Sequence, residues 1–227
     1  MHVILFDIDG TLLHSGGAGQ GGIERALELA FGVTAPTDGI PTAGRTDRGI
    51  GRDLIRFHGL EESDSTYARL QEAYLKVLPE ELARRQGTVY PGVRELLARL
   101  SLRDDVRLGL LTGNYREAAW QKLRHFGLAE HFSFGGFGDD HADRDDVARQ
   151  ALMAAAEQHA PQAIDRAKLW VVGDTPADVR CGRAIRARVI AVGTGLYSIE
   201  ELKLSDPDHL FTDFADVESV LSLWPST

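Results

Sequence analysis

The sequence has few of the features that mark secreted, membrane-spanning or nucleic-acid-binding proteins. Cys181 is the only cysteine among 227 residues, so no internal disulfide can form, as is typical of a reducing cytoplasm. No apolar run is long enough to cross a membrane, and an acidic motif at residue 7 leads us to expect no signal peptide. The 25 basic residues are outnumbered by 34 acidic ones, and the net charge of -9 disfavours a nucleic-acid or anionic-membrane surface. We expect a soluble cytoplasmic protein with neither nucleic acid nor membrane as a partner.

What the sequence does contain is an alternation of strand-like and helix-like segments. With 43% apolar residues, it can form one large domain or a core with a smaller insertion. Runs of strand-forming residues occur at 3–6, 106–111, 132–134, 169–172 and 189–192, with a weaker one at 209–211. Helical periodicity occurs at 92–100, 116–126, 147–159 and 177–185. This alternation predicts an α/β fold in which helices cover both faces of a parallel sheet.

The interval between the first strand and the next strand–helix repeat differs from the rest. It has no convincing strand, and apolar residues at helical spacing begin near Ile23, Ile50 and Tyr67. Glycines at 16, 17 and 19 and the segment 86–88 are plausible hinges on its two sides. We expect residues 16–87 to form a helical cap over the carboxyl end of the sheet, where open α/β sheets bind ligands. The alternative is that these helices simply pack on the sheet as part of one domain.

Two aspartates, Asp7 and Asp9, follow the first predicted strand. Alternation along a strand places both on the same side of the backbone, and Gly10 allows the chain to turn away. Two like charges this close need a cation, a shared proton or a phosphate-handling role at neutral pH. A simple turn at the strand end is the alternative, and the residues at other strand ends argue against it.

Polar residues also follow two further predicted strands. Thr112, Gly113 and Asn114 end one strand and open a helix, where a hydroxyl and free N–H groups suit phosphate oxygens. The same residues are common in helix caps and turns. Asp174 ends another strand, and Asp178 falls in the first turn of the next helix, where it either joins Asp174 or complements the helix dipole.

An acidic run at 139–146 surrounds one cation, Arg144. The run lacks the glycine and the terminal glutamate of an EF-hand calcium loop. We expect a loop that leads into a helix whose N-terminus collects Asp145 and Asp146. Arg144 is then either a cation beside several carboxylates or a solvated surface arginine.

These motifs together resemble the haloacid dehalogenase superfamily, and within it the phosphatases that insert a helical cap after the first motif. Residues 7–13 match the family's first motif, 111–114 the second and 173–178 the fourth, so the resemblance covers nearly the whole chain. The third motif departs from the pattern, because the family usually has a lysine followed by proline where Arg144 and Asp145 stand here. Arginine supplies the charge as a planar fork instead of a point charge. The resemblance implies a three-layer, Rossmann-like core of residues 1–15 and 88–227 with a helical cap of residues 16–87.

The resemblance also implies a Mg²⁺-dependent phosphatase, most similar to phosphoglycolate phosphatase-like members, acting on a small phosphorylated metabolite. Asp7 would attack phosphorus and form an aspartyl-phosphate, while Asp9 would protonate the leaving group and then help to activate water. Mg²⁺ would be held by the carboxylates of Asp7 and Asp174 and by the backbone carbonyl of Asp9. Asp178 would bind the ion directly or through a water molecule.

The remaining assignments concern the substrate. Thr112, Gly113 and Asn114 would hold the phosphoryl oxygens, with Arg144 as their counter-charge. Arg45, in a Gly-Arg-Thr-Asp loop within the insertion, is our candidate for a cap residue that contacts the leaving group.

Two other functions are compatible with these motifs. A sugar-phosphate mutase shares the core motifs and differs in passing the phosphoryl group to a second hydroxyl instead of water. The alternative from a different class is a non-enzymatic phospho-acceptor or binding protein on a similar α/β fold. Such receiver-type domains need neither Asp9 as an acid/base nor a helical cap, which disfavours the second alternative.

Overall fold

A parallel six-stranded sheet forms the centre of the computed structural model, which describes residues 1–35, 37, 39–158 and 164–225. The sheet order is β5-β4-β1-β6-β7-β8, and every neighbouring pair is parallel. The strands are β1 His2–Phe6, β2 Leu13–His14, β3 Thr88–Val89, β4 Val106–Leu111, β5 Gly135–Gly136, β6 Leu169–Gly173, β7 Arg188–Val192 and β8 His209–Phe211. The described residues include no helix that is both long and apolar enough to cross a membrane.

Helices flank this sheet and also fill the interval after β2. They are α1 Ala18–Phe31, α2 Asp47–Phe57, α3 Asp64–Arg84, α4 Val93–Ser101, α5 Arg116–His125, α6 Arg144–Gln158, α7 Pro176–Ala184, α8 Ile199–Leu204 and α9 Val217–Leu221. The helix expected at 147–159 is therefore found within α6, and its final residue, His159, lies outside the described ranges.

The central strand β1 is buried on both faces because its side chains alternate between two cores. Ile4 and Phe6 point into one core, which also contains Leu97 of α4 and Leu123 of α5. Val3 and Leu5 point into the other core, which contains apolar residues of α6 and α7. A strand with two buried faces reads as a continuous apolar run, as this one does. The three-layer α/β core expected from the sequence is confirmed.

The prediction of a strand at 132–134 is wrong. Phe132 and Phe134 are buried in the two cores, and the Phe134 carbonyl accepts from the Leu110 N–H at 3.0 Å. The strand that pairs with β4 nevertheless consists of Gly135 and Gly136, opposite Leu110 and Leu111. Aromatic residues raise strand propensity through side-chain packing, and here that packing occurs just before the paired residues. Glycine has low strand propensity, so the sequence pattern misses β5.

The helices α1, α2 and α3 surround a third apolar core. Ile23, Leu54, Leu70 and Leu78 belong to it, and Tyr115, at the start of α5, joins it from the sheet side. The two chain crossings into and out of this region form a small antiparallel ribbon, in which β2 pairs with β3. This arrangement supports our proposal that residues 16–87 form a cap domain.

Candidate active site

A cavity of about 550 Å³ lies over the carboxyl ends of β1, β4 and β6. Its floor includes Asp7, Thr112 and Asp174, each of which directly follows one of these strands. The side opposite this floor includes Ile23 and Tyr74 from the inserted helices. The crevice at the carboxyl edge of the parallel sheet is therefore bordered by the helices that follow β2.

The first strand delivers Asp7 and Asp9 into different surroundings. Asp7 is buried, and its backbone N–H donates to the Val172 carbonyl at 2.9 Å, which continues the β1–β6 pairing to the strand end. The Asp9 side chain is 39% exposed toward the cavity. Gly10 then turns the chain with φ +86°, and a Cβ atom built there would lie 2.3 Å from Asp174 Oδ2. Glycine is thus required at this position by both the backbone angle and the space taken by Asp174.

Three buried carboxylates meet beneath the cavity. One oxygen atom from each of Asp7, Asp174 and Asp178 lies within 4.8 Å of the others. Burial raises the pKa of Asp7 to about 6, with Arg144 opposing that rise and Asp178 and Asp9 adding to it. Burial also raises the pKa of Asp174 well above its usual range, and Asp178 and Asp7 raise it further. These shifts arise because like charges in a dry site disfavour ionisation.

Arg144 lies inside this cluster, at the first position of α6. Its Nη2 atom is 3.4 Å from Asp7 Oδ1, donates a short hydrogen bond to Asp178 Oδ1, and lies 3.4 Å from the Leu111 carbonyl oxygen. The side chain is buried, so the alternative of a solvated surface arginine is wrong. The helix that collects Asp145 and Asp146 in its first turn is confirmed.

The acid cluster fits a hard divalent cation. Its donors are carboxylate oxygens, and the described part of the chain sets one cation, Arg144, against the three acids. Asp178 has little free capacity, because Oδ2 accepts from both the N–H and the hydroxyl of Thr175 while Oδ1 binds Arg144. Asp7 and Asp174 are the members best able to act as direct ligands. The Asp9 carboxylate lies outside this cluster.

We call the segment after β4, residues 112–114, the phosphate loop, after the role that the sequence predicts for it. The Asn114 amide Nδ2 donates to Thr112 Oγ1 at 2.8 Å, and the backbone N–H of Asn114 donates to the same oxygen at 3.3 Å. With its acceptor positions used, the Thr112 hydroxyl can donate its hydrogen to an oxygen in the cavity. No hydrogen bond from the Gly113 N–H is found within the described ranges, so this group is also available as a donor.

Lys122 of α5 is a site residue that the sequence reasoning missed. Its side chain is only 4% exposed, and its Nζ atom donates to Asp9 Oδ2 and to Asn114 Oδ1, both at 2.6 Å. The available signal was its place on α5, one turn from the buried Ala118 and Ala119. A lysine on the apolar face of a helix requires a partner.

The start of α2 lies against the phosphate loop. The backbone N–H of Asp47 donates to the Gly113 carbonyl at 2.7 Å, and Asp47 Oδ2 accepts from the Tyr115 N–H at 2.8 Å. Burial raises the pKa of Asp47 to about 6, against the opposing charge of Lys122. Asp47 therefore caps the N-terminus of α5 from a different part of the chain, a role that no local pattern predicts.

Arg45 reaches the cavity wall, but its charge is already paired. Its Nη2 atom lies 2.6 Å from Asp53 Oδ2 and donates to the Gly49 carbonyl at 3.3 Å, while Nη1 donates to the Pro41 carbonyl at 3.1 Å. The structure thus brings Arg45 to the expected place with its guanidinium on partners within the insertion. Contact with a leaving group stays a prediction.

Comparison with known proteins gives a consistent assignment. A family model described as haloacid dehalogenase-like hydrolase matches residues 1–186. The chain is 32% identical over 226 residues to the phosphoglycolate phosphatase of Rhodospirillum rubrum, covering 94% of this chain and 88% of that protein. It is 24% identical over 232 residues to the phosphoglycolate phosphatase of Nitrosococcus oceani, covering 97% and 96%. The crystal structure of CbbY from Rhodobacter sphaeroides in complex with phosphate has the same fold, with TM-score 0.76, 20% identity and 96% coverage of both chains.

Proposed function

The chain belongs to the haloacid dehalogenase-like hydrolase family, and we propose that it is a Mg²⁺-dependent phosphatase acting on a small phosphomonoester. The observation that carries this proposal is the separation of two neighbouring carboxylates into different environments. Asp7 is buried beside Arg144 and the acid cluster, whereas Asp9 faces the cavity and is held by Lys122. Pairs of acids whose surroundings differ in this way commonly divide nucleophilic and acid/base work between them.

In the proposed reaction, the Asp7 carboxylate attacks phosphorus while Asp9 gives a proton to the leaving oxygen. The aspartyl-phosphate on Asp7 is then hydrolysed by water, whose proton Asp9 accepts. Arg144 lies close enough to Asp7 to compensate charge on the phosphoryl group. The Thr112 hydroxyl and the Gly113 N–H contribute free donors. Asn114, also expected from the sequence to hold phosphoryl oxygens, already uses its donors on Thr112 and Asp9 and supports the loop instead.

Asp7 and Asp174, with Asp178 through a water molecule, would hold the metal ion. Mg²⁺ would supply the positive charge that lets three acids and a phosphate dianion share one site. Ionised Asp7 is required for attack. Burial raises the pKa of Asp7 to about 6 in the protein alone, and a cation beside the carboxylate would favour the ionised form.

The cavity and the relatives support the proposed substrate class. A volume of about 550 Å³ suits a small metabolite, and the curated relatives are phosphoglycolate phosphatases. We therefore propose a phosphoglycolate phosphatase-like activity, with the leaving group selected by a cap formed by residues 16–87.

The proposal is tested with a panel of small phosphorylated metabolites that includes phosphoglycolate and hexose phosphates. We expect Mg²⁺-dependent release of inorganic phosphate, and a transient label on wild-type protein from ³²P-substrate that Asp7→Asn abolishes. Asp7→Asn should retain the wild-type circular dichroism spectrum and less than about 1% of activity, because the isosteric amide is not nucleophilic. Retained turnover in that variant contradicts the assignment of Asp7. Isomerised hexose phosphate without phosphate release would instead establish the mutase alternative.

A further inference from the structure

The Asp9 carboxylate is held by residues outside its own strand. Its Oδ2 atom accepts from Lys122 Nζ at 2.6 Å and from Asn114 Nδ2 at 2.8 Å. No hydrogen bond to Oδ1 is found within the part of the chain that the structure describes. One oxygen of the proposed acid/base is therefore fixed, and the other is left for proton transfer.

Lys122 also determines how the Asn114 amide is oriented. An ammonium group only donates hydrogen bonds, so the Asn114 atom that lies 2.6 Å from Nζ must be the carbonyl oxygen. The two hydrogens of Nδ2 are then directed to Asp9 Oδ2 and Thr112 Oγ1, both at 2.8 Å. Lys122 thus connects the acid/base to the phosphate loop through a closed set of hydrogen bonds.

The burial of Lys122 makes this set rigid. Its ammonium comes from the second half of α5, and the side chain is 4% exposed. A buried ammonium without partners is strongly disfavoured, so its hydrogen bonds to Asp9 and Asn114 are held in place by the fold. Arg144 is engaged elsewhere, by Asp7 and Asp178, and does not contact Asp9 in the described chain.

We propose that Lys122 is the positioning residue that aims Asp9 Oδ1 at the leaving oxygen, an inference that rests on the proposed phosphatase function. In the first step the bond from Asp7 to phosphorus forms, the bond from phosphorus to the leaving oxygen breaks, and the Oδ1 proton moves to that oxygen. The carboxylate that remains is paired with Lys122. In the second step water forms the new bond to phosphorus, its proton returns to Oδ1, and the bond to Asp7 breaks. Lys122 acts through Asp9 and contacts neither phosphorus nor the leaving oxygen.

The test is the dependence of kcat/KM on the leaving group, because this parameter reports the steps up to departure of that group. Lys122→Met keeps the length of the side chain and removes the charge. We expect kcat/KM to fall by about 100-fold for alkyl phosphates, whose alkoxides need a proton, and by less than about threefold for 2,4-dinitrophenyl phosphate, whose phenolate does not. Lys76→Met, at an exposed lysine of α3, is the matched control and should leave the whole series unchanged.

Asp9→Asn provides the second measurement. If Lys122 acts through Asp9, Lys122→Met added to Asp9→Asn should cause no further leaving-group dependence. An equal loss for aryl and alkyl phosphates would overturn the proposal, because it would indicate a general structural role or contact with the phosphoryl group. If Lys122→Met does not fold, Lys122→Gln should show the same selective loss, and a uniform loss would again overturn the proposal. Absence of Mg²⁺-dependent turnover in the wild-type protein would instead refute the proposed function.

Discussion

The backbone N–H of Asp47 donates to the carbonyl oxygen of Gly113 at 2.7 Å, so the first residue of α2 is joined directly to the phosphate loop. The Asp47 side chain accepts from the N–H of Tyr115, the residue that directly follows the loop. One inserted residue thus binds both the middle of the segment proposed to bind phosphoryl oxygens and the residue after it. The position of the inserted helices and the shape of the phosphate loop are therefore coupled.

Gly113→Ala tests this coupling. An added Cβ atom would lie 2.0 Å from the Arg45 carbonyl oxygen, so the segment before α2 would have to move away. We expect kcat/KM to fall by about 100-fold, the size of effect produced by a displacement of about 1 Å at a reacting centre. Gly51→Ala within α2 is the control, because its Cβ atom would meet Leu70 and Tyr115 at an ordinary 3.5 Å. Wild-type kcat/KM in Gly113→Ala would show that close packing at this point is dispensable.

Removal of the metal should abolish activity. Treatment with EDTA is expected to stop phosphate release and Mg²⁺ to restore it, because Asp7 and Asp174 cannot otherwise accept a phosphate dianion. Ca²⁺ should restore little activity, since its looser geometry and higher coordination number position the reacting groups poorly. The measurement is phosphate release after dialysis against chelator and titration with each ion. Full activity in the chelated protein would rule out a metal-dependent reaction.

The stability of the metal-free protein should depend on pH through the acid cluster. The pKa of Asp7 is raised to about 6 and that of Asp174 is also raised, so the folded chain binds protons more readily than the unfolded chain. Stability therefore increases as the pH falls toward about 4, and the part of the loss that Asp7 causes is complete above about 6. Asp174→Asn removes one of the buried charges.

Thermal unfolding in EDTA provides the measurement. Asp174→Asn should have a higher Tm than the wild type at about pH 7, and the difference should shrink at about pH 5, where the wild-type acids are protonated. Comparing the two proteins at each pH cancels the contributions of histidines and other groups that they share. A difference in Tm that is independent of pH would show that the cluster does not titrate in this range.

Arg45→Ala should raise KM for an anionic substrate such as phosphoglycolate. The expected increase in KM is about tenfold or more, because a charge-assisted hydrogen bond worth about 1.5–3 kcal/mol would be lost. KM for an aryl phosphate whose aryl group carries no charge should change little. Because Arg45 forms an ion pair with Asp53, a variant of Asp53 tests the same role from the other side. Asp53→Asn would leave the guanidinium free for an anionic leaving group and should lower that KM. If Arg45→Ala harms both substrates equally, Arg45 contacts the phosphoryl group or supports the loop.

Some site residues can be placed from the sequence alone, because their position depends only on the strand or helix that carries them. A buried strand that ends in Asp7 and a second that ends in Asp174 place both acids at one edge of a parallel sheet. The sequence also predicts a helix N-terminus at Asp145 and Asp146, directly after Arg144, although only the structure shows that Arg144 is buried beside Asp7.

Other site residues cannot be placed from the sequence, because their roles depend on contacts between segments that are far apart in the chain. Lys122 and Asp9 are 113 residues apart, and the hydrogen bond between Asp47 and Tyr115 joins the insertion to α5. No local propensity encodes either contact. The edge strand β5 was missed for a related reason, because Gly135 and Gly136 carry no side chains whose pattern could indicate a strand.

The ribbon of β2 and β3 has a consequence for how this protein can evolve. Leu13 lies opposite Val89 and His14 opposite Thr88, so the polypeptide leaves and re-enters the sheet domain through neighbouring backbone segments. Segments joined at adjacent ends can be lengthened, shortened or exchanged with little strain on the rest of the chain. Recombination at these two crossings would transfer the inserted helices as a unit and leave Asp7, Asp9 and Asp174 in place. Under the proposed division of roles, substrate choice can then diverge in the insertion while the proposed catalytic residues stay unaltered.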